Sequence, residues 1–237
     1  MRGLLIIANY NQAPEIGKLL DRAAEHWPLS DTVVVDDGSS DGSDAIAEKK
    51  GFKVIRHGTN RGIGAAIRTG IDHARSSGFQ YVVISSSNGK IRPEDLDVVT
   101  TPIRNGSADY VQGSRFLQDA SSPNLPLFRK LTIPLFSLVT SMILGRRFSD
   151  MTCGYRAYTL KVLDDPRMNL DQEWLNRYEL EYYIHYRACR SGARITEVPV
   201  NIVYSHLSRR RRSKIIPIIG WWSMFRPFIF LALGVRK

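Results

Sequence analysis

Short apolar runs alternate with stretches of helical spacing over the first 115 residues, and this alternation restricts the fold more than any other feature of the chain. Residues 4–8 are continuously apolar, as a strand buried on both faces must be. Residues 14–26 follow with Ile16, Leu19, Leu20 and Ala23 at helical spacing. Strands are then expected at 32–35, 54–55, 81–84 and 110–111. Helices are expected at 44–50 and 64–76, with another beginning at Pro93, where a first-turn proline is tolerated. Strand–helix alternation of this kind predicts an α/β fold: a mostly parallel, Rossmann-like sheet with helices on both faces. Ligands in such sheets bind beyond the carboxyl ends of the strands, so the loops after the strands are where chemistry is expected.

The second half reads differently. Residues 125–144 are apolar, with Arg129 and Lys130 near the start and Pro134 as an interruption. Residues 173–190 form a Tyr-rich helical stretch, 194–198 and 201–204 read as short strands, and 215–235 are apolar again. The net charge of +10 is concentrated at the end: no acidic residue follows Glu197, and Arg209 to Arg212, Lys214, Arg226, Arg236 and Lys237 carry eight of those charges. A basic tail of this kind calls for an anionic partner. The division expected is a catalytic domain over 1–208 and a basic, apolar, membrane-associating segment over 209–237. Cys153 and Cys189 are too few and too far apart for a disulfide framework or zinc site and read as reduced thiols in a cytoplasmic protein. The apolar start, closed by Asn9, reads as a buried strand instead of a secretion signal.

Three loops carry polar groups at strand ends. Val35-Asp36-Asp37-Gly38-Ser39 places two carboxylates there, suited to a base N–H or a ribose hydroxyl; a plain turn with a helix cap is the competing reading. Asn60-Arg61-Gly62-Ile63-Gly64 opens a helix with glycines that admit an anion, although it lacks the Gly-Lys-Ser/Thr of a P-loop. Ser85-Ser86-Ser87-Asn88-Gly89-Lys90 offers hydroxyl and amide oxygens that ligate a hard cation more weakly than carboxylates do.

Taken in order, these loops resemble glycosyltransferase family 2, and most closely its polyprenyl-phosphate sugar transferase (dolichol-phosphate mannosyltransferase-like) branch. The pieces that carry the resemblance are Asn9-Tyr10-Asn11, the 35–43 run, the 60–70 run, the loop ending in Pro93-Glu94-Asp95, residues 109–116 ending in Arg115-Phe116, Asp150 to Arg156, and Glu197-Val198-Pro199-Val200; together they cover residues 4 to 215. The resemblance implies a GT-A fold, a nucleotide-diphosphate sugar donor and a divalent cation, Mg²⁺ or Mn²⁺. It places Asp36 and Asp37 at the nucleoside, with Asn9, Tyr10, Asn11, Gly62 and Ser86 around the donor. Arg115 and Arg129 would hold an acceptor phosphate, and the turn of Gly154, Tyr155 and Arg156 would line the sugar site. Aligned on Pro93, the family's Asp-x-Asp falls on Ser86 and Asn88, leaving Asn88 as the expected metal ligand and Ser86 as a weak second. Lys90 can neutralise part of the diphosphate charge, as a positioned ammonium does. Gln12 replaces the family's Glu, and Ser208 and Arg211 replace Arg and Gly of its C-terminal motif, while Ser213-Lys214 matches.

The mechanism that fits is direct displacement at the anomeric carbon with inversion. A phosphate acceptor is already ionised and needs no base, so catalysis reduces to positioning and leaving-group stabilisation. Asn88, Lys90, Arg209 and Arg210 are assigned to the diphosphate and Arg115 to catalysis. Asp150 is the candidate base if the acceptor is a saccharide or small-molecule alcohol. The competing class is a catalytically impaired, nucleotide-sugar-binding scaffold, favoured by Ser86 and Asn88. Nucleic acid is not expected, because the basic tail lacks interleaved aromatic residues.

A spanning helix over 215–235 would have to bury Arg226 beside Pro217 and Pro227. Two interfacial helices broken at Arg226-Pro227 are expected instead, with Trp221 and Trp222 at the interface and the 209–214 cluster on anionic headgroups at the inner face of the membrane. Residues 125–144 form a second interfacial element that brings Arg129 to a lipid phosphate. Burial in the core or in a homo-oligomer contact is the alternative for both apolar stretches.

Overall fold

The computed structural model describes residues 1–204 and 219–235. The strands are β1 (Gly3–Asn9), β2 (Thr32–Asp36), β3 (Lys53–Arg56), β4 (Tyr81–Ser86), β5 (Tyr110–Ser114), β6 (Arg156–Thr159) and β7 (Ile195–Pro199). They form one sheet in the order β3-β2-β1-β4-β6-β5-β7. All neighbouring pairs are parallel except those of β6, which runs antiparallel to β4 and β5. The mostly parallel α/β sheet expected from the alternation is therefore the fold. The strand at 156–159 was not expected: its pairing with Tyr81 to Ile84 is a contact across about 75 residues of chain, invisible to local periodicity.

The helices are α1 (Ala13–His26), α2 (Ser43–Lys49), α3 (Ile63–Ser76), α4 (Leu96–Arg104), α5 (Leu127–Leu144), α6 (Leu160–Leu163), α7 (Glu179–Ser191) and α8 (Ile219–Ala232). Side chains alternate across the sheet. Leu4, Ile6, Val33, Val35, Val82 and Ile84 meet α3, α7 and α8. Leu5, Ile7, Val34 and Val83 meet α1 and α4 on the other face. With both faces covered, a strand has no solvent side, which is why β1 and β2 are apolar without interruption.

Two expectations about the apolar stretches are corrected. Pro134 and Pro227 do not break their helices; α5 and α8 each run continuously through the proline. In α8, Arg226 ion-pairs with the buried Glu179 at 2.6 Å. Phe228 is buried against Tyr182 and Tyr186, so one face of α8 belongs to the domain core instead of lying outside it. Residues 201–204 contribute a single bridge, Ile202 to Ile91, and not a strand.

One close approach fixes the start of α3. The backbone N–H of Ala65 donates to Asn176 O at 3.1 Å, and a Cβ on Gly64 would lie 2.1 Å from Leu175 O and 2.5 Å from Arg177 O. Gly64→Ala is expected to lift this helix start off the 175–177 segment and cost about 1–3 kcal/mol, as overpacking does. An unchanged thermal midpoint would refute the contact.

Candidate active site

Strand order reverses between β1 and β4, and a cleft of about 850 Å³ opens there, beyond the carboxyl ends of the parallel strands. One wall carries Asn9, Tyr10, Asn11, Asp37, Asn60 and Gly62. Asp37 organises this wall. Its carboxylate accepts the backbone N–H of Arg61 at 2.9 Å and of Gly62 at 2.8 Å, and His57 Nδ1 lies 2.8 Å from Oδ1. Gly62 has φ of +104°, a conformation few side chains tolerate. Asp36 stands behind this wall, accepting from Asn9 Nδ2 at 2.6 Å and from Ser39 N at 2.9 Å. It orders the turn without facing the cleft.

The loop after β4 forms the floor with Ser86, Ser87, Asn88 and Lys90. Asn88 Oδ1 accepts the Lys90 N–H at 3.1 Å, closing a tight turn around Gly89. Among the described residues no group of three or more His, Cys, Asp or Glu side chains comes together. The oxygens that stand where Asp-x-Asp is expected are neutral, and that of Asn88 is already engaged. This donor set does not fit a hard divalent cation, which favours carboxylates.

Positive charge gathers at the same end. The Lys90 ammonium lies 6.0 Å from the ring centre of Tyr204, and the Arg129 guanidinium 5.5 Å from the same ring. Arg115 Nη1 donates to the Tyr204 hydroxyl at 2.5 Å. Burial, with Arg129 and Arg115 nearby, pulls the Lys90 ammonium down to about 8. The far end of the cleft is closed by Gly154 together with Glu181 and Tyr182 from α7. Burial raises the Glu181 carboxyl above its ordinary range, although Arg156 Nη1 lies 3.7 Å away and opposes the shift.

Residues 4–165 match the family described as glycosyl transferase family 2. The chain belongs to glycosyl transferase family 2. An undecaprenyl-phosphate mannosyltransferase of Micrococcus luteus is 33% identical over 221 residues, 90% of this chain and 88% of the relative. A UDP-N-acetylglucosamine–dolichyl-phosphate N-acetylglucosaminyltransferase of Methanococcus voltae is 29% identical, covering 97% of this chain and 96% of the relative. Among solved structures, glucosyl-3-phosphoglycerate synthase of Mycobacterium tuberculosis, in complex with Mn²⁺, uridine diphosphate and phosphoglyceric acid, aligns with a TM-score of 0.69 at 16% identity, covering 99% of this chain and 79% of that one. This likeness confirms the GT-A fold.

In this family 2 chain the residues expected at the site divide into two sets. Asn9, Tyr10, Asn11, Asp37, Gly62, Ser86, Asn88, Lys90, Arg115, Arg129 and Gly154 all line the cleft. Asp36, Asp150, Tyr155 and Arg156 lie behind it. Tyr155 is core, and Arg156 is 1% exposed, donating to Cys153 O and Met151 O at 2.9 Å each. Asp150 is fully buried, its oxygens accepting from Arg115 Nε at 2.6 Å and Nη2 at 2.8 Å. It therefore positions Arg115 and has no path to a substrate hydroxyl. Arg115 stays charged: burial disfavours its cation, but the Asp150 carboxylate more than offsets this, raising it. Arg209 and Arg210 lie outside the described residues. The sequence reading missed Glu15, Arg177, Glu181, Tyr182 and Tyr204, which also line the cleft. Glu181 had a signal, a carboxylate among the aromatic residues of a helix with little polar surface.

Proposed function

We propose that this chain transfers a sugar, with inversion, from a nucleoside-diphosphate donor to a polyprenyl phosphate at the inner, cytoplasmic face of a membrane. The observation that carries this reading is the two-faced character of α5. Its inner face lines the cleft with Arg129, Ile133 and Phe136. Its outer face exposes Leu127, Leu131, Leu135, Leu138 and Met142, while Phe128, though exposed, stands at the mouth of the cleft. A lipid whose chain rests against the outer face presents its phosphate to Arg129. Residues Leu127–Leu144 are long and apolar enough to cross a membrane, but a third of them is buried in the protein, which suits a helix lying along the interface. The names of the two curated relatives, both acting on polyprenyl or dolichyl phosphates, support the same acceptor class.

In this mechanism an acceptor phosphate oxygen attacks the anomeric carbon as its bond to the donor diphosphate breaks, and the diphosphate leaves with the electron pair. The acceptor is already an anion, so no base is needed, consistent with the burial of Asp150. The nucleoside lies along the wall of Asn9, Asp37 and Gly62, the sugar points toward Gly154 and Glu181, and Arg129 with Arg115 holds the acceptor phosphate.

The test incubates the purified chain with radiolabelled UDP- or GDP-sugars and undecaprenyl phosphate in detergent micelles. Label in the lipid fraction is expected from one donor. Arg129→Ala is expected to raise KM for the lipid phosphate about tenfold or more, the worth of one charge-assisted contact, with donor KM unchanged. Label in a saccharide acceptor but never in lipid would overturn the acceptor assignment. Donor binding without any transfer would make the chain a scaffold.

A further inference from the structure

We infer that this chain holds its donor diphosphate without a divalent cation, with Lys90 supplying the positive charge at the leaving group. This rests on the transferase reading above.

Among the described residues, the carboxylates near the cleft other than Glu15 are engaged. Asp37 spends both oxygens on the Arg61 and Gly62 N–H groups and faces His57. Asp36 is engaged by Asn9 and Ser39, and Asp150 by Arg115 and Thr152. Glu181 lies at the opposite end beside Gly154, with Arg156 as its neighbour. At the end of β4, where the family's Asp-x-Asp aligns, the side chains are Ser86, Ser87 and Asn88. The amide oxygen of Asn88 is turned back to the Lys90 N–H. Glu15 approaches this loop: its Oε2 lies 3.0 Å from the position a Cβ on Gly89 would take.

The charge at this end is already positive. Lys90 and Arg129 share the Tyr204 ring, so a dication placed beside Asn88 would meet two cations, while the charge of Arg115, which binds the Tyr204 hydroxyl, is balanced by Asp150. An anion placed there is attracted by the same two. When the bond from the anomeric carbon to the β-phosphate oxygen breaks, the electron pair stays on that oxygen, where a nearby ammonium stabilises it without giving up its proton. Tyr204 orders the cationic end by taking both side chains on its face, which lowers the entropy lost on binding phosphate.

The experiment is calorimetric titration of the full chain with UDP and GDP, once with EDTA and once with Mg²⁺ or Mn²⁺. The dissociation constant of the preferred diphosphate is expected to be the same in both. Lys90→Ala should weaken diphosphate binding about tenfold or more, the worth of one charge-assisted hydrogen bond, while leaving the affinity for the bare nucleoside unchanged. Lys90→Arg should recover part of the loss. An unaltered melting temperature shows that the variants fold. Diphosphate binding that requires metal, or that is lost in Glu15→Gln and kept in Lys90→Ala, would overturn the inference and leave the transferase reading standing. No binding of either nucleotide under any condition would overturn both.

Discussion

Asp150→Ala is expected to remove about 3–5 kcal/mol of stability, the cost of leaving a buried charge without its partner. Asp150 is wholly inaccessible and Arg115 nearly so. The carboxylate accepts from Arg115 Nε and Nη2, from the Arg115 backbone N–H at 3.2 Å and from the Thr152 N–H at 3.0 Å. The turn carrying Asp150 is itself tied to β7, where Glu197 accepts the N–H groups of Ser149 and Asp150. Truncation at Asp150 strands a guanidinium inside the protein and unpicks a junction between two distant segments. Because domains of this kind are stable by only about 5–15 kcal/mol, the variant should unfold at a much lower urea concentration, read by fluorescence of the four tryptophans. Asp150→Asn keeps the shape but loses the charge, so it should fall between wild type and Asp150→Ala. A general base would behave otherwise: Asp150→Asn would keep the wild-type urea midpoint and lose transfer. Wild-type stability in both variants would refute the structural role argued here.

The contrast between Asp150 and Asp37 shows what sequence can and cannot reveal. Both are acidic residues in motifs that read as functional. Asp37 follows a buried strand directly, and the rule that ligands lie beyond strand ends places it on the cleft wall. Asp150 follows a loop of no fixed direction, and only the distant Arg115 decides that it points inward. The same division holds for the fold. Strands β1, β2 and β4 were legible because a short apolar run between turns reads as a buried strand, and the edge strand β3 showed only as the pair Val54-Ile55. β6 was not, because Arg156-Ala157-Tyr158-Thr159 has no such run and becomes a strand by fitting between β4 and β5. Glu181, Tyr182 and Tyr204 reach the cleft from more than 90 residues beyond the β4 loop, so no local spacing could associate them with Asn88 and Lys90. The proline expectations failed for a related reason: packing of Phe136 and Phe228 against aromatic neighbours holds α5 and α8 together where the missing N–H alone would loosen them.

Replacing Leu131, Leu135 and Leu138 together by glutamine is expected to cut partitioning onto anionic vesicles about a hundredfold. These leucines are 68%, 61% and 58% exposed on the outer face of α5, with Met142 continuing the stripe at alternating four- and three-residue steps. An apolar stripe this regular is unusual on a surface meeting only water. Burying each leucine at an interface contributes about 1 kcal/mol, less than the roughly 1.5–3 kcal/mol of full burial because one side remains among headgroups. Three of them give about 3 kcal/mol, hence the hundredfold. Glutamine is chosen because it is a good helix former, so α5 should persist and the unfolding midpoint should stay near wild type. Transfer to a short, water-soluble polyprenyl phosphate should be unaffected, since Arg129 is untouched, while transfer to the long-chain lipid in vesicles should fall with binding. If the stripe instead joined two copies of this chain, wild type would sediment as a dimer without lipid and the triple variant as a monomer. Vesicle binding equal to wild type would remove α5 from the membrane contact, and with it the reason for α5 to show leucines outward and Arg129 inward.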